Sequence, residues 1–189
     1  MYVYRDAFEN PVTSFRNLDQ LVDSLKPGKT LVISPCPGMG KISLMLNIVK
    51  RICLDQKVPT LIFSGESTAF HMVQRIVFSR AGYGVNRLIY QDFYGNKNEL
   101  MRLAEAAREI AKSSLFIVDS SGISLNELRA AAVRHKLENN IGFIAIDNLY
   151  QLRPDSPLTE QSEESEVAEV AAGIKSLARE LKIPILVLC

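Results

Sequence analysis

The chain has 189 residues, 47% of them hydrophobic and 23% charged, with 22 basic side chains against 21 acidic ones. That size suits one α/β domain with a sizeable core. A net charge of +1 excludes a protein that coats nucleic acid by bulk charge, while leaving room for a local basic groove.

Residues 1–14 mix aromatics and charges without a period, and read as an arm that packs on another surface. Phe15, Leu18, Leu21, Val22 and Leu25 fall at helical spacing over 15–25, and Lys26-Pro27-Gly28-Lys29 marks a turn. Short apolar runs then alternate with amphipathic stretches. Strands are expected over 31–33, 60–64, 115–119, 142–147 and 183–188, and helices over 41–54, 69–80, 99–112, 125–138 and 165–182. Strands that are apolar throughout, separated by helices, predict an α/β fold whose mostly parallel central sheet is covered on both faces. Residues 15–189 are thus expected to form one domain. Residues 153–165 break the rhythm with two prolines, several serines and four acids, and read as an exposed, mobile loop. The run ending at Cys189 reads as a buried strand, so the chain is expected to be a domain cut short of its C-terminal part.

Three cysteines, Cys36, Cys53 and Cys189, show no paired metal spacing and make an odd total. That argues against a disulfide scaffold or a zinc site and fits a reducing cytosol. No uncharged apolar run approaches a bilayer span, and the first residues are too polar for a signal peptide. A cytoplasmic location is expected.

The strongest local signal is Ser34-Pro35-Cys36-Pro37-Gly38-Met39-Gly40-Lys41, between a strand and a helix. Strand, glycine-bearing loop, lysine and helix make a phosphate cradle: backbone N–H groups and the helix dipole hold the anion, and the lysine reaches the terminal phosphates. The consensus asks for glycine where Pro35 stands and for a hydroxyl where Ile42 stands. That hydroxyl ligates Mg²⁺, and Ser43, one residue late, points about 100° away around the helix. The candidate nucleotide-contacting set is Pro37, Gly38, Met39, Gly40, Lys41, Ile42 and Ser43. A strand-to-helix turn that holds no ligand fits the same residues.

Two carboxylates stand where a nucleotide hydrolase needs them. Asp147 ends the apolar run 143–146, from which a carboxylate reaches Mg²⁺ through water. Glu66 follows the strand over 60–64 in Ser-Gly-Glu-Ser and is placed to orient or deprotonate an attacking water. Either alone fits a helix cap equally well. With Lys41 they converge on the carboxyl ends of parallel strands, where such sheets bind ligands.

Other features are less specific. Cys36 is either a reactive thiol near Lys41 or a small filler. Arg129, Arg134, His135 and Lys136 form either a solvated face or a contact for DNA or a neighbouring subunit. Tyr83, Tyr90, Phe93 and Tyr94 suit helix docking or base stacking. His71 and His135 lack any ligand arrangement.

The order of these segments resembles the C-terminal motor domain of the DnaB-type replicative DNA helicases, a RecA-like ATPase. The resemblance runs over 12–189 and rests on Val-Thr-Ser-Phe-Arg-Asn-Leu-Asp-Gln-Leu, Pro-Gly-Met-Gly-Lys, Phe-Ser-Gly-Glu-Ser, Phe-Ile-Ala-Ile-Asp-Asn-Leu-Tyr-Gln-Leu and the final helix. It implies a three-layer P-loop domain that uses ATP and Mg²⁺, within a homo-hexameric ring that threads single-stranded DNA and unwinds duplex during replication. Primase or a helicase loader would be partners, and the location would be the nucleoid. Lys41 would hold the β- and γ-phosphates, Glu66 would be the catalytic carboxylate, Asp147 would organise Mg²⁺, and Gly38, Met39 and Gly40 would supply cradle amides. Ile42, Pro35 and the acidic run 160–166 depart from the family. They open an alternative: a module without ATPase activity that keeps the fold and docks on a helicase or its loader.

Overall fold

Five strands carry the fold: β1 (Thr30–Ile33), β2 (Thr60–Ser64), β3 (Leu115–Asp119), β4 (Phe143–Asp147) and β5 (Ile185–Leu188). The structure is a computed structural model and describes residues 11–21, 25–34, 36, 38–84, 96–155 and 163–189. All strand pairings are parallel, in the order β1-β5-β4-β2-β3. The helices are α1 (Arg16–Leu21), α2 (Lys41–Lys50), α3 (Ala69–Arg80), α4 (Lys97–Ala111), α5 (Leu125–Asn139) and α6 (Glu163–Leu181).

Alternation along the strands divides the core in two, because successive side chains point to opposite faces of a sheet. Ile62, Phe143, Ala145, Leu186 and Leu188 face α2, α3 and α4 through Ile48, Met72, Ile76 and Ile110. Leu61, Phe63, Ile144, Ile146, Ile185 and Val187 face α5 and α6 through Leu128, Ala132, Val170, Ile174 and Leu177. Every residue of β2, β4 and β5 is buried. This is why residues 61–63, 143–146 and 185–188 read as unbroken apolar runs: each strand needs apolar residues on both faces. Connections from β1 to β2 to β3 cover one face, and those from β3 to β4 to β5 cover the other. The chain turns back at β3, and the connections leaving the neighbouring strands β2 and β4 run to opposite faces, leaving a crevice at their carboxyl ends.

The helix ends have local causes. The Asp19 carboxylate accepts from Thr13 N (2.8 Å), Thr13 Oγ1 (2.7 Å) and Ser14 N (3.1 Å), so α1 starts at Arg16. Ser124 and Glu127 form a reciprocal capping box at the start of α5. The helix expected over 41–54 is α-helical to Lys50 and widens into a π-type turn over Arg51–Asp55.

The expected loop over 153–165 is ordered at both ends. Arg153 N donates to Ile123 O (3.1 Å) and Leu125 N donates to Arg153 O (3.0 Å), while the Asp155 carboxylate accepts from Asn126 N (2.8 Å). Residues 163–165 already belong to α6. Backbone pairing and capping fix these polar residues without burying apolar side chains, so hydropathy did not reveal them. Residues 156–162 lie outside the described set, as do 1–10 and 85–95, which hold the arm and the aromatic residues Tyr90, Phe93 and Tyr94.

Candidate active site

Strand β1 delivers the chain to a loop whose two glycines take left-handed backbone, Gly38 at φ +81° and Gly40 at φ +79°. Only glycine adopts that conformation without a Cβ penalty. Met39 N donates to Cys36 O (3.2 Å), tightening the turn, and Leu44 N donates to Gly40 O (3.0 Å), opening α2. Gly40 stands at the N-cap with no side chain to offer, and the first turn of α2 holds no acid. The leading N–H groups of α2 therefore have no capping side chain at the place where a helix dipole favours an anion. Pro35 and Pro37 lie outside the described residues.

Lys41, Glu66 and Asp147 meet at the head of this helix. Lys41 Nζ lies 3.8 Å from Glu66 Oε1, and both side chains are partly open to solvent. Glu66 is brought there by the turn after β2, where Ser64 Oγ accepts from Ser67 N (3.1 Å) and donates to Ser67 O (2.6 Å). The register pairs Ser64 with Asp147, so the end of β4 lies beside that turn, and Gly65 N donates to Asp147 O at 2.7 Å. Gly65 is required here: a Cβ would fall 2.5 Å from Cβ of Gln151.

Asp147 is 1% exposed, and neither carboxylate oxygen has a hydrogen-bond partner among the described residues. Burial raises its pKa above the ordinary carboxylate value, the nearby charge of Glu66 adds to that, and Lys41 and Arg75 oppose it. A buried, unpaired acid of this kind is costly unless something positive completes it. The donor set thus fits a hydrated divalent cation beside a phosphate.

Ile42 does not fit that role. It is half-buried and packs against the apolar cluster under α2. Ser43 is half-buried, and its carbonyl accepts from Asn47 Nδ2 (2.8 Å).

Two groups at the site were missed by sequence reasoning. Asn148 donates its side-chain amide to Glu66 Oε1 and is itself buried. Arg75, half-buried on α3, acts electrostatically on Asp147. Asn148 follows Asp147 directly, and that adjacency was the available signal. Arg75 carried none, because its place depends on how α3 lies on α2.

The basic residues of α5 do not form one face. Arg129 pairs with Glu180 (3.0 Å), and Lys136 is buried with its Nζ donating to Ile141 O (2.8 Å). His135 lies against the Phe116 ring, centroids 5.1 Å apart, beside Asn139. Among the described residues no cluster of His, Cys, Asp and Glu is arranged to hold a metal by itself, and no helix is long and apolar enough to cross a membrane.

The fold is shared with known helicase structures. A DnaB-like replicative helicase, solved in work on its interactions with primase, superposes with a TM-score of 0.85 at 22% identity, over 97% of this chain and 43% of that one. The ATPase domain of G40P gives 0.84 at 22% identity, over 97% of this chain and 64% of that one. In sequence, the replicative DNA helicase DnaB of Treponema pallidum is 31% identical over 176 residues, and the replicative DNA helicase DnaC of Bacillus subtilis is 28% identical over 176 residues. The matches take in 93% of this chain but only 39% and 38% of those proteins, so the chain spans about two fifths of their length. Residues 12–189 match the family described as the DnaB-like helicase C-terminal domain. With its parallel sheet, its glycine-bearing loop and the acids at its strand ends, this α/β chain belongs to that family.

Proposed function

We propose that the chain binds ATP at the loop between β1 and α2 and is the nucleotide-hydrolysing motor of a replicative DNA helicase that moves on single-stranded DNA. The observation that carries this reading is the meeting of Lys41, Glu66 and Asp147, from three separate segments, at the uncapped head of α2. Lys41 and the amides of Gly38, Met39 and Gly40 would bind and orient the phosphates. Glu66, held by Asn148 and facing Lys41, would take a proton from an attacking water. Asp147 would hold Mg²⁺ through water, and a bound Mg²⁺ would neutralise charge on the terminal phosphates. The ring partners, primase and a loader would engage this domain as part of the larger protein, by analogy with its relatives.

Ile42 supports a second reading, a domain that has given up ATP turnover and docks on a helicase or loader, since the metal-binding hydroxyl is replaced by a core-packing side chain. Calorimetry with ATP and ADP, with and without Mg²⁺, separates the two. The motor reading expects ATP binding that Asp147→Asn weakens only when Mg²⁺ is present. An absence of ATP binding at millimolar concentration removes the motor reading and leaves the docking module.

A further inference from the structure

We propose that Arg75 is the second cation of the phosphate site, a binding residue that reaches from α3 to the nucleotide's phosphates and shares them with Lys41. The inference rests on the nucleotide-binding reading above and extends it to a side chain outside the loop motif.

The packing of α3 on α2 places Arg75. Both helices start at the carboxyl ends of the strands and run side by side in the same direction. Near their far ends, Ser79 Oγ accepts from Lys50 Nζ (2.7 Å) and donates to Asn47 Oδ1 (3.3 Å). Residues four apart share a helix face. One turn nearer the helix starts, Arg75 therefore faces the turn of α2 holding Ser43 and Leu46, next to Lys41. The Arg75 guanidinium makes no hydrogen bond or close ion pair to any described residue.

Charge gives the reason for such a group. The head of the site holds two acids, Glu66 and Asp147, against the single amine of Lys41. A triphosphate carries several negative charges into that field. Proteins with a hydroxyl after the lysine recruit a metal to offset them; Ile42 offers no such ligand. A guanidinium presents a planar fork of donors suited to phosphate oxygens. Arg75, on the helix packed beside α2, would supply that fork.

The test is equilibrium binding of ATP, ADP and pyrophosphate to the full chain in the presence of a metal chelator, for the parent and for Arg75→Gln and Arg75→Lys. Arg75→Gln should weaken ATP and pyrophosphate about tenfold and flatten the salt dependence, whereas Arg75→Lys should stay within about threefold, since it keeps the charge but loses the fork. The melting midpoints of both should match the parent. Arg75→Met, which keeps the apolar stem, replaces Arg75→Gln if that variant does not fold. Parent-like ATP affinity and salt dependence in the uncharged variant would overturn the assignment of Arg75 alone. Failure of the parent chain to bind any of the three ligands would overturn the nucleotide site as a whole.

Discussion

The side-chain amide of Asn148 donates to Oε1 of Glu66, the same oxygen that faces Lys41 Nζ at 3.8 Å. One atom of the Glu66 carboxylate thus takes an amide from the segment after β4 and an amine from the head of α2. The amide contact ties the ends of β2 and β4, which are neighbours in the sheet, through residues that stand 82 apart in the chain.

Replacing Asn148 by Asp should expose how much negative charge this corner tolerates. The new carboxylate would sit between Glu66 and Asp147, and Asp147 is already raised by burial and by Glu66. The folded-state pKa of residue 148 would therefore be raised as well. An acid raised on folding contributes no penalty below its unfolded pKa and loses stability as pH climbs through its folded value. Asn148→Asp should cost about 2–3 kcal/mol near pH 7 and recover most of that near pH 4. Thermal melts across that range check it; a deficit independent of pH would contradict the account.

Ile42→Thr restores the hydroxyl next to Lys41. It should tighten Mg²⁺-dependent ATP binding by about 10- to 100-fold and leave metal-free ADP binding nearly unchanged. Because Ile42 packs on the apolar cluster, the same change should lower stability by about 1 kcal/mol. Calorimetry and melting curves read the two effects separately. An unchanged Mg²⁺ dependence would speak for the docking module.

Gly65→Ala tests the close approach between the turn after β2 and Gln151. The added methyl meets Gln151 Cβ at 2.5 Å and Cγ at 2.9 Å. Such overpacking should cost about 1–3 kcal/mol, seen as a lower denaturant midpoint. Gln151→Gly removes both contacting atoms. The double variant should therefore be less destabilised than the sum of the two singles, by a coupling of at least about 0.5 kcal/mol. Strict additivity would contradict the steric explanation.

Asp55 links the turn after α2 to α3. It pairs with Arg51 (3.0 Å) and Arg80 (2.9 Å), and Arg80 in turn holds Glu109 of α4 at 2.7 Å. Partial burial works to raise the Asp55 carboxyl, but hydrogen bonds and charge from Arg51 and Arg80 outweigh it, and its pKa lies below the ordinary value. A lowered acid contributes stability above its unfolded pKa and loses it as pH falls through the folded value. Asp55→Asn should cost about 0.5–1 kcal/mol at pH 7, a midpoint drop of about 1–4 °C, with the gap to the parent closing below about pH 4. Melts at pH 7 and pH 3.5 decide it, and a gap that persists in acid would rule out the ion pair as its source.

The order of elements was legible in the sequence by itself. Runs such as 61–63 and 143–146 are apolar at every position, and only a strand buried on both sides needs that composition. The position of the glycine-bearing loop was equally local, because glycines at 38 and 40 and a lysine at 41 act through backbone conformation and helix direction, which neighbours along the chain specify. Glu66 and Asp147 could be placed because strand ends are visible in the pattern. What the pattern could not decide was lateral. That Asn148 reaches Glu66, that Gln151 lies over Gly65, and that Arg75 lies one turn above the Ser79 contact all follow from which strand pairs with which and how α3 packs on α2. The inward turn of Ile42 and the burial of Lys136 are likewise decided by packing. Local sequence specifies an element and its faces. The partner a side chain meets across a sheet or between helices depends on residues tens of positions away, and only the folded chain brings them together.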